Sequence, residues 1–282
     1  MGIGRVDLVA VKTAHLFSGQ GAQTVGMGAG LPADLYDRAS EILGYDLRTL
    51  CLEGPIEKLT RTDYSQPALL VTALAAHAGA PAAGAGLSLG EITALAAAGA
   101  VAFEDAVRIV KVRGEAMQAA CEAQPGGMAS VIGLDLKNIR AACEGLVTVA
   151  NLNSPGQIVI SGASEPLLRA SEACRQAGAR RVIPLKVAGA YHSPLMEPAV
   201  AALRAALAAV EFREPKWPVV SNVTARPYRS AAEIAPTLAR QITSTVRFEE
   251  SVRFMIDELG VTDFAEFGAG NVLTGLVGKI RA

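Results

Sequence analysis

Gly86-Leu87-Ser88-Leu89-Gly90 lies between a run of small apolar residues, 78–84, and a segment, 92–98, that reads as helix. Gly-x-Ser-x-Gly at a strand-to-helix junction is the pattern of a nucleophile elbow. The turn is so tight that the residues two places either side of the serine must be glycine, and the serine Oγ is lifted clear of the chain. The next backbone N–H, that of Leu89, then points out at the helix N-terminus. An oxyanion formed there would meet that donor together with the positive end of the helix dipole. The same pattern also arises by chance in a sequence rich in Gly and Ala, so its meaning rests on what else the chain carries.

The chain's 282 residues suffice for one large domain with an insertion, or for two modest ones. Hydrophobic residues make up 51% and charged residues 19%, so a substantial core can be buried. The net charge is −1, from 26 basic and 27 acidic residues with no basic run. That argues against nucleic-acid binding, which depends on clustered neutralisation of phosphates. Cys51, Cys121, Cys143 and Cys174 are widely spread, with no C-x-x-C pair. A chain of this size needs no disulfide staples, so the cysteines are expected reduced and the protein cytoplasmic. His15, His77 and His192 are the only histidines and no metal-ligand spacing joins them, so no metal or other cofactor is expected. Met1-Gly2-Ile3-Gly4-Arg5-Val6 lacks the Ser or Thr of a myristoylation signal, and no signal-peptide core follows. Residues 67–90 carry no formal charge, yet they are mostly Ala and Gly, are broken by Pro81 and lack basic anchors. They read as a buried helix running into a central strand, not as a membrane span.

Lys12-Thr13-Ala14-His15-Leu16-Phe17 reads as a short buried strand that ends in the turn Ser18-Gly19-Gln20-Gly21-Ala22-Gln23. Without the Lys-Ser/Thr of a P-loop, this turn is an ordinary strand-to-helix loop, a weak phosphate cradle, or the source of a second oxyanion donor beside the serine. Residues 35–50 show a helical pattern, and 57–60 add a short turn. Asp63-Tyr64-Ser65-Gln66-Pro67 is expected to open the apolar helix, with Pro in its first turn and Ser or Gln as cap. Ala106, Val107, Val110, Gly114 and Met117 recur at helical spacing over 103–120. Arg108, Lys111, Arg113 and Glu115 punctuate that helix, and each taken alone reads as solvated.

Composition shifts at Gln124-Pro125-Gly126-Gly127. Residues 128–134 suit a strand, 136–143 a helix, 147–152 and 157–161 strands, 165–176 a helix and 181–187 a strand, with Asn153-Ser154-Pro155-Gly156 as a turn. This order is the ferredoxin-like βαββαβ arrangement. Residues 126–188 are therefore expected to form a small subdomain inserted into a large domain of residues 1–125 and 189–282. The remainder reads as helix over 196–210, strand over 217–222, helices over 234–242 and 248–259, strand over 263–268 and helix over 272–280. Strands alternating with helices predict an α/β fold with a largely parallel sheet.

A serine needs a base, and His192 is the strongest candidate of the three histidines. His15 falls in a buried strand and His77 in an alanine-rich helix, as packed or surface residues would. His192 stands beside a subdomain boundary, between Gly189 and Pro194, where loops face clefts. No Asp is close in sequence, so a main-chain carbonyl could fix the imidazole tautomer in a Ser-His dyad.

In order along the chain come Ser18-Gly19-Gln20-Gly21-Ala22-Gln23, Gly86-Leu87-Ser88-Leu89-Gly90-Glu91, Val112-Arg113-Gly114, Asn153-Ser154-Pro155-Gly156-Gln157 and Gly189-Ala190-Tyr191-His192-Ser193. Together they closely resemble the malonyl-CoA:acyl carrier protein transacylases of fatty acid and polyketide synthesis. Tyr64-Ser65-Gln66-Pro67-Ala68-Leu69, Pro218-Val219-Val220-Ser221-Asn222-Val223 and Val272-Leu273-Thr274-Gly275-Leu276 extend the likeness, which runs from Thr13 to Ile280. The chain departs from the family pattern at Ser18 and Ala269, where Pro is usual, at Leu87, where His is usual, and in a shorter stretch between Leu74 and Gly86.

The resemblance implies an α/β-hydrolase-like core with a ferredoxin-like lid. It implies that Ser88 is acylated, that His192 takes its proton and later protonates the leaving thiol, and that the N–H groups of Gln20 and Leu89 form the oxyanion hole. It implies that Arg113 grips the malonyl carboxylate through a bidentate pair, and that a main-chain carbonyl near Gln241 orients His192. Leu89 after the nucleophile goes, in the family, with malonyl over larger branched groups. The expected reaction is ping-pong transfer of malonyl from malonyl-CoA, a substrate and not a cofactor, to the phosphopantetheine thiol of an acyl carrier protein. An editing hydrolase of acyl-carrier thioesters is a rival that would gain nothing from Arg113. A non-catalytic scaffold is another, suggested only by Leu87 and Ala269. Arg180, Arg181 and Lys186, near the cleft edge, could meet the phosphates of CoA but read better as solvated surface charge.

Overall fold

The structure, a computed structural model, describes residues 11–143, 145 and 147–282. Met1 to Val6, read above for targeting signals, and the rest of residues 1–10 lie outside the described residues. β1 (Thr13–Phe17) leads through α1 (Asp34–Leu43), α2 (Leu47–Glu53), α3 (Ile56–Thr60) and α4 (Thr62–Ala76) to β2 (Ala83–Gly86), α5 (Leu89–Ala97) and α6 (Phe103–Ala123). Then come β3 (Gly126–Ile132), α7 (Leu136–Ala142), β4 (Val147–Ser154), β5 (Gln157–Ala163), α8 (Ser164–Gln176) and β6 (Arg181–Pro184). The chain closes with α9 (Glu197–Ala208), β7 (Val219–Val220), α10 (Ile234–Gln241), α11 (Phe248–Asp257), β8 (Asp263–Phe267) and α12 (Val272–Arg281).

Two sheets result. One runs β7-β2-β1-β8 with every pairing parallel; the other runs β4-β5-β3-β6 with every pairing antiparallel. This is the α/β architecture expected from alternating strands and helices. Strand side chains alternate between faces, and both faces of a parallel sheet need a cover. Accordingly Phe17 and Val219 join Leu70, Ile92, Val107 and Leu203 in one apolar layer, while Ala14, Leu16 and Val220 join Val252, Met255 and Leu276 in the other. In the antiparallel sheet Val131 and Ile160 pack on Ile139 and Cys174 of α7 and α8, whereas Met128, Ala150 and Val159 face the main core. The two parts are stitched together where Val246 N–H donates to Ala150 O (2.8 Å) and Leu152 N–H to Val246 O (2.9 Å).

Several expected boundaries move. The single helix expected over 35–50 is two, because Gly44 ends α1 in the left-handed conformation (φ 82°) and Asp46 caps α2, accepting from Thr49 N–H at 2.9 Å. The apolar helix starts earlier than expected, at Thr62, so Pro67 falls inside it and neither Ser65 nor Gln66 is a cap. Both are buried side chains of its second turn. The strand expected over 217–222 shrinks to Val219–Val220, since Pro218 has no N–H and Asn222 turns its side chain to other work, described below. β4 extends through Ser154, leaving Pro155-Gly156 as the turn. Residues 67–90 resolve into α4 and β2, and among the described residues no helix is long and apolar enough to cross a membrane. The four cysteines are unpaired.

Candidate active site

β2 ends at Gly86 and α5 begins at Leu89, so Ser88 occupies the junction with φ 55° and ψ −103°, a conformation few non-glycine residues adopt. The flanking glycines make room for it by close approach. A Cβ on Gly86 would lie 2.0 Å from the Gly90 carbonyl carbon, and one on Gly90 would lie 2.0 Å from Phe17 O. Gly19 does the same for the neighbouring loop, since its Cβ would lie 2.3 Å from Leu87 O. Asn222 braces the turn from the end of β7. Its Oδ1 accepts Ser88 N–H at 2.7 Å, and its Nδ2 donates to Gly86 O at 2.7 Å.

His192, 104 residues further on, brings Nε2 to 2.8 Å from Ser88 Oγ. It too holds a positive φ, 57°, just ahead of the 3-10 turn Pro194–Met196, which Ser193 caps. Its Nδ1 faces two carbonyls, Gln241 O at 3.0 Å and Ser244 O at 3.1 Å. Carbonyls only accept, so the proton sits on Nδ1 and leaves the Nε2 lone pair for the serine O–H. Burial, and then the Arg113 charge, pull the His192 pKa down to about 4, while the two carbonyls act to hold it up. The ring is neutral near pH 7. A hydroxyl donating to a neutral, oriented imidazole is a nucleophile with its base in place.

Arg113 on α6 is buried, with 1% exposure. The reading that any one charge on this helix is solvated therefore fails at Arg113, while Arg108 and Glu115 are exposed. Its Nη2 donates to Ser88 Oγ (3.1 Å) and Gln241 Oε1 (3.0 Å), and Nη1 donates to Gln66 Oε1 (2.7 Å). All three acceptors are neutral, and Nε is buried without a partner. Desolvation pulls the guanidinium pKa down to about 10, leaving it charged near pH 7. A buried cation with only neutral partners is costly, and an anionic ligand beside Ser88 would offset that cost.

The Gln20 and Leu89 N–H groups donate to no acceptor among the described residues. The Gln20 loop is held by its own side chain, whose Nε2 donates to Tyr191 OH (3.1 Å) and Thr62 Oγ1 (3.4 Å). Gln20, Leu87, Ser88, Met117, Tyr191 and His192 line a cavity of about 120 Å³ between the two sheets. His15 and His77 stand apart from it. They contact each other, Nδ1 to Nε2 at 2.9 Å, among Phe17 and Phe267. Among the described residues no three His, Cys, Asp or Glu side chains form a metal-holding group.

Sequence reasoning left Asn222, Tyr191, Thr62 and Glu91 without a role and gave Gln66 only that of a helix cap, not of a partner to Arg113. Two of the burials had a visible signal. Arg113 is three residues after Val110 and four before Met117, on the apolar stripe of its helix, and Glu91 is the lone charge in α5.

With this geometry in view, residues 14–274 match the acyl transferase domain. The chain belongs to that family. Within the acyl transferase family, the malonyl CoA-acyl carrier protein transacylase of Bacillus subtilis strain 168 is 45% identical, over 96% of this chain and 90% of its own length. The one of Escherichia coli K12 is 43% identical over 95% of this chain and 92% of its own. The polyketide biosynthesis protein ThaF of Burkholderia thailandensis is 46% identical over 95% of this chain, which spans 24% of that longer protein. Among solved structures, a malonyl-transacylase in complex with a type II PKS acyl-carrier protein superposes with a TM-score of 0.90 at 42% identity, over 95% of this chain and 93% of that one. The MCAT of Streptococcus pneumoniae gives 0.90 at 44% identity over 95% and 93%. The hydrolase and scaffold alternatives find no support among these relatives.

Proposed function

We propose that this acyl transferase moves a malonyl group from malonyl-CoA to the phosphopantetheine thiol of an acyl carrier protein. The observation that carries the reading is the convergence on Ser88 Oγ of His192 Nε2 at 2.8 Å and Arg113 Nη2 at 3.1 Å. Ser88 Oγ attacks the thioester carbonyl carbon as His192 Nε2 takes the hydroxyl proton. The oxyanion of the tetrahedral intermediate accepts from Gln20 N–H and Leu89 N–H, where each donor contributes on the order of 100-fold in rate. Collapse breaks the carbon–sulfur bond, and His192 returns the proton to the departing CoA sulfur. The carrier thiol then attacks malonyl-Ser88 by the same steps in reverse. Arg113 receives the malonyl carboxylate, exchanging neutral acceptors for an anionic one, and Gln241 O keeps His192 in the Nδ1–H tautomer.

The proposal uses no cofactor. It places the protein in the cytoplasm, a reading supported by four unpaired, largely buried cysteines. Division into a catalytic unit of residues 1–125 and 189–282 and a small unit of 126–188 is part of the same proposal. It is supported by the two separate sheets and by an apolar cluster confined to the antiparallel one. Incubation with malonyl-CoA followed by intact-mass measurement tests the reading. A malonyl adduct is expected on the native chain and is expected to vanish in Ser88→Ala; a native chain that stays unmodified would sink it.

A further inference from the structure

The Gln241 side chain joins two groups that its amide can satisfy in one orientation only. Its Nε2 donates to Glu91 Oε2 at 2.6 Å and to Ser88 O at 2.9 Å, while its Oε1 accepts from Arg113 Nη2 at 3.0 Å. A carboxylate only accepts and a guanidinium only donates. Turning the amide over would set oxygen against oxygen at Glu91 and N–H against N–H at Arg113. The direction of this amide, and with it the acceptor presented to Arg113, is therefore fixed by the acceptors at Glu91 and Ser88 O on one side and the Arg113 donor on the other.

Glu91 is wholly buried in the first turn of α5, where the helix dipole favours a negative group. Besides Gln241, Tyr228 OH donates to its Oε1 at 2.5 Å and Asn222 N–H to its Oε2 at 3.1 Å. Burial pushes its carboxyl up, and the donors from Tyr228, Gln241 and Asn222 pull it back. Asn222 in turn holds Ser88 N–H, so both arms of the network end at the elbow. Glu91 itself touches neither Ser88 Oγ nor His192.

We propose that Glu91 is a positioning residue: its buried carboxylate orients the Gln241 amide, and through it holds the Arg113 guanidinium where a carboxylated acyl group is received. This rests on the malonyl-transfer reading above. Two rates separate the possibilities: malonyl loading of Ser88 from malonyl-CoA, and labelling of Ser88 by an uncharged fluorophosphonate. The second reads the serine and histidine without a carboxylate. In Glu91→Gln, malonyl loading is expected to fall about tenfold further than fluorophosphonate labelling, because the neutral amide is a weaker acceptor for Gln241 Nε2 and can turn its own N–H towards it, loosening the hold on the Arg113 acceptor. Tyr228→Phe, which keeps the carboxylate but removes one of its donors, is expected to shift the ratio the same way by about threefold. Should Glu91→Gln not fold, the Tyr228→Phe ratio decides. An equal fall in both rates, or an unchanged ratio, would overturn the role given to Glu91. A native chain that takes fluorophosphonate but no malonyl would instead overturn the malonyl reading.

Discussion

At His192 the decisive quantity is protonation. A histidine in the unfolded chain takes up its proton near the ordinary value of 6.5, but this ring, buried beside Arg113, does so only at about 4. Two consequences carry the same sign. The proposed base is active when neutral, so the kcat/KM for malonyl loading should hold as pH falls through 6.5 and drop only towards about 4. An acid limb between 6 and 7 in a pH profile of kcat/KM would contradict the burial of this ring, those bounds being roughly the solution range of histidine. Stability follows by linkage: between 6.5 and about 4 the unfolded chain binds a proton that the folded chain refuses, so this ring's contribution is lost progressively as pH falls across that window. His192 and Ser88 were legible as residues because each stands at a turn with glycine or proline near it. Gln66, Asn222 and Gln241 were not legible as side-chain partners. A neutral amide in a buried helix or strand end carries no sign, in sequence, of what it will face.

At the scale of elements, the elbow is a backbone-to-backbone contact between the end of β2 and the first turn of α5. Gly86 meets Gly90 there, and Gly90 meets β1 at Phe17. A methyl group on Gly86 must push the helix away from the strand, so Gly86→Ala should destabilise the fold by about 3 kcal/mol and misplace Ser88. A denaturant midpoint left where it was in Gly86→Ala would refute this packing. Helix α6 shows why patterning alone misassigned a charge. Its apolar stripe includes position 113, and an arginine on that stripe reads as a solvated interruption until α4 supplies Gln66 across from it. Helix α4 began earlier than its proline suggested. Pro67 is tolerated beyond the first turn, and Gln66 is thereby presented to α6.

Across the whole molecule the small antiparallel sheet is not an appendage. Its inner face, with Met128, Ala150 and Val159, belongs to the main core, and β4 exchanges backbone hydrogen bonds with Val246, two residues past a carbonyl that holds His192. Unfolding should therefore be one event. Fluorescence of Trp217, the single tryptophan, which packs on the parallel sheet at Gly84, should change at the same temperature as far-UV ellipticity, which reads both sheets. Separate transitions would mean that the small sheet melts on its own.

Local sequence determined what local physics can dictate: a serine lifted on a glycine-flanked turn, the alternation of strands with helices, the βαββαβ order after Pro125, and a histidine on a boundary loop. Each depends on residues within a few positions of one another. The convergence of Ser88, His192 and Arg113, the neutral state of that imidazole and the Glu91–Gln241–Arg113 chain were decided only by tertiary structure. Burial and hydrogen-bond partners are properties of groups separated by 25 to 153 residues, and no stretch of sequence contains both ends of such a contact.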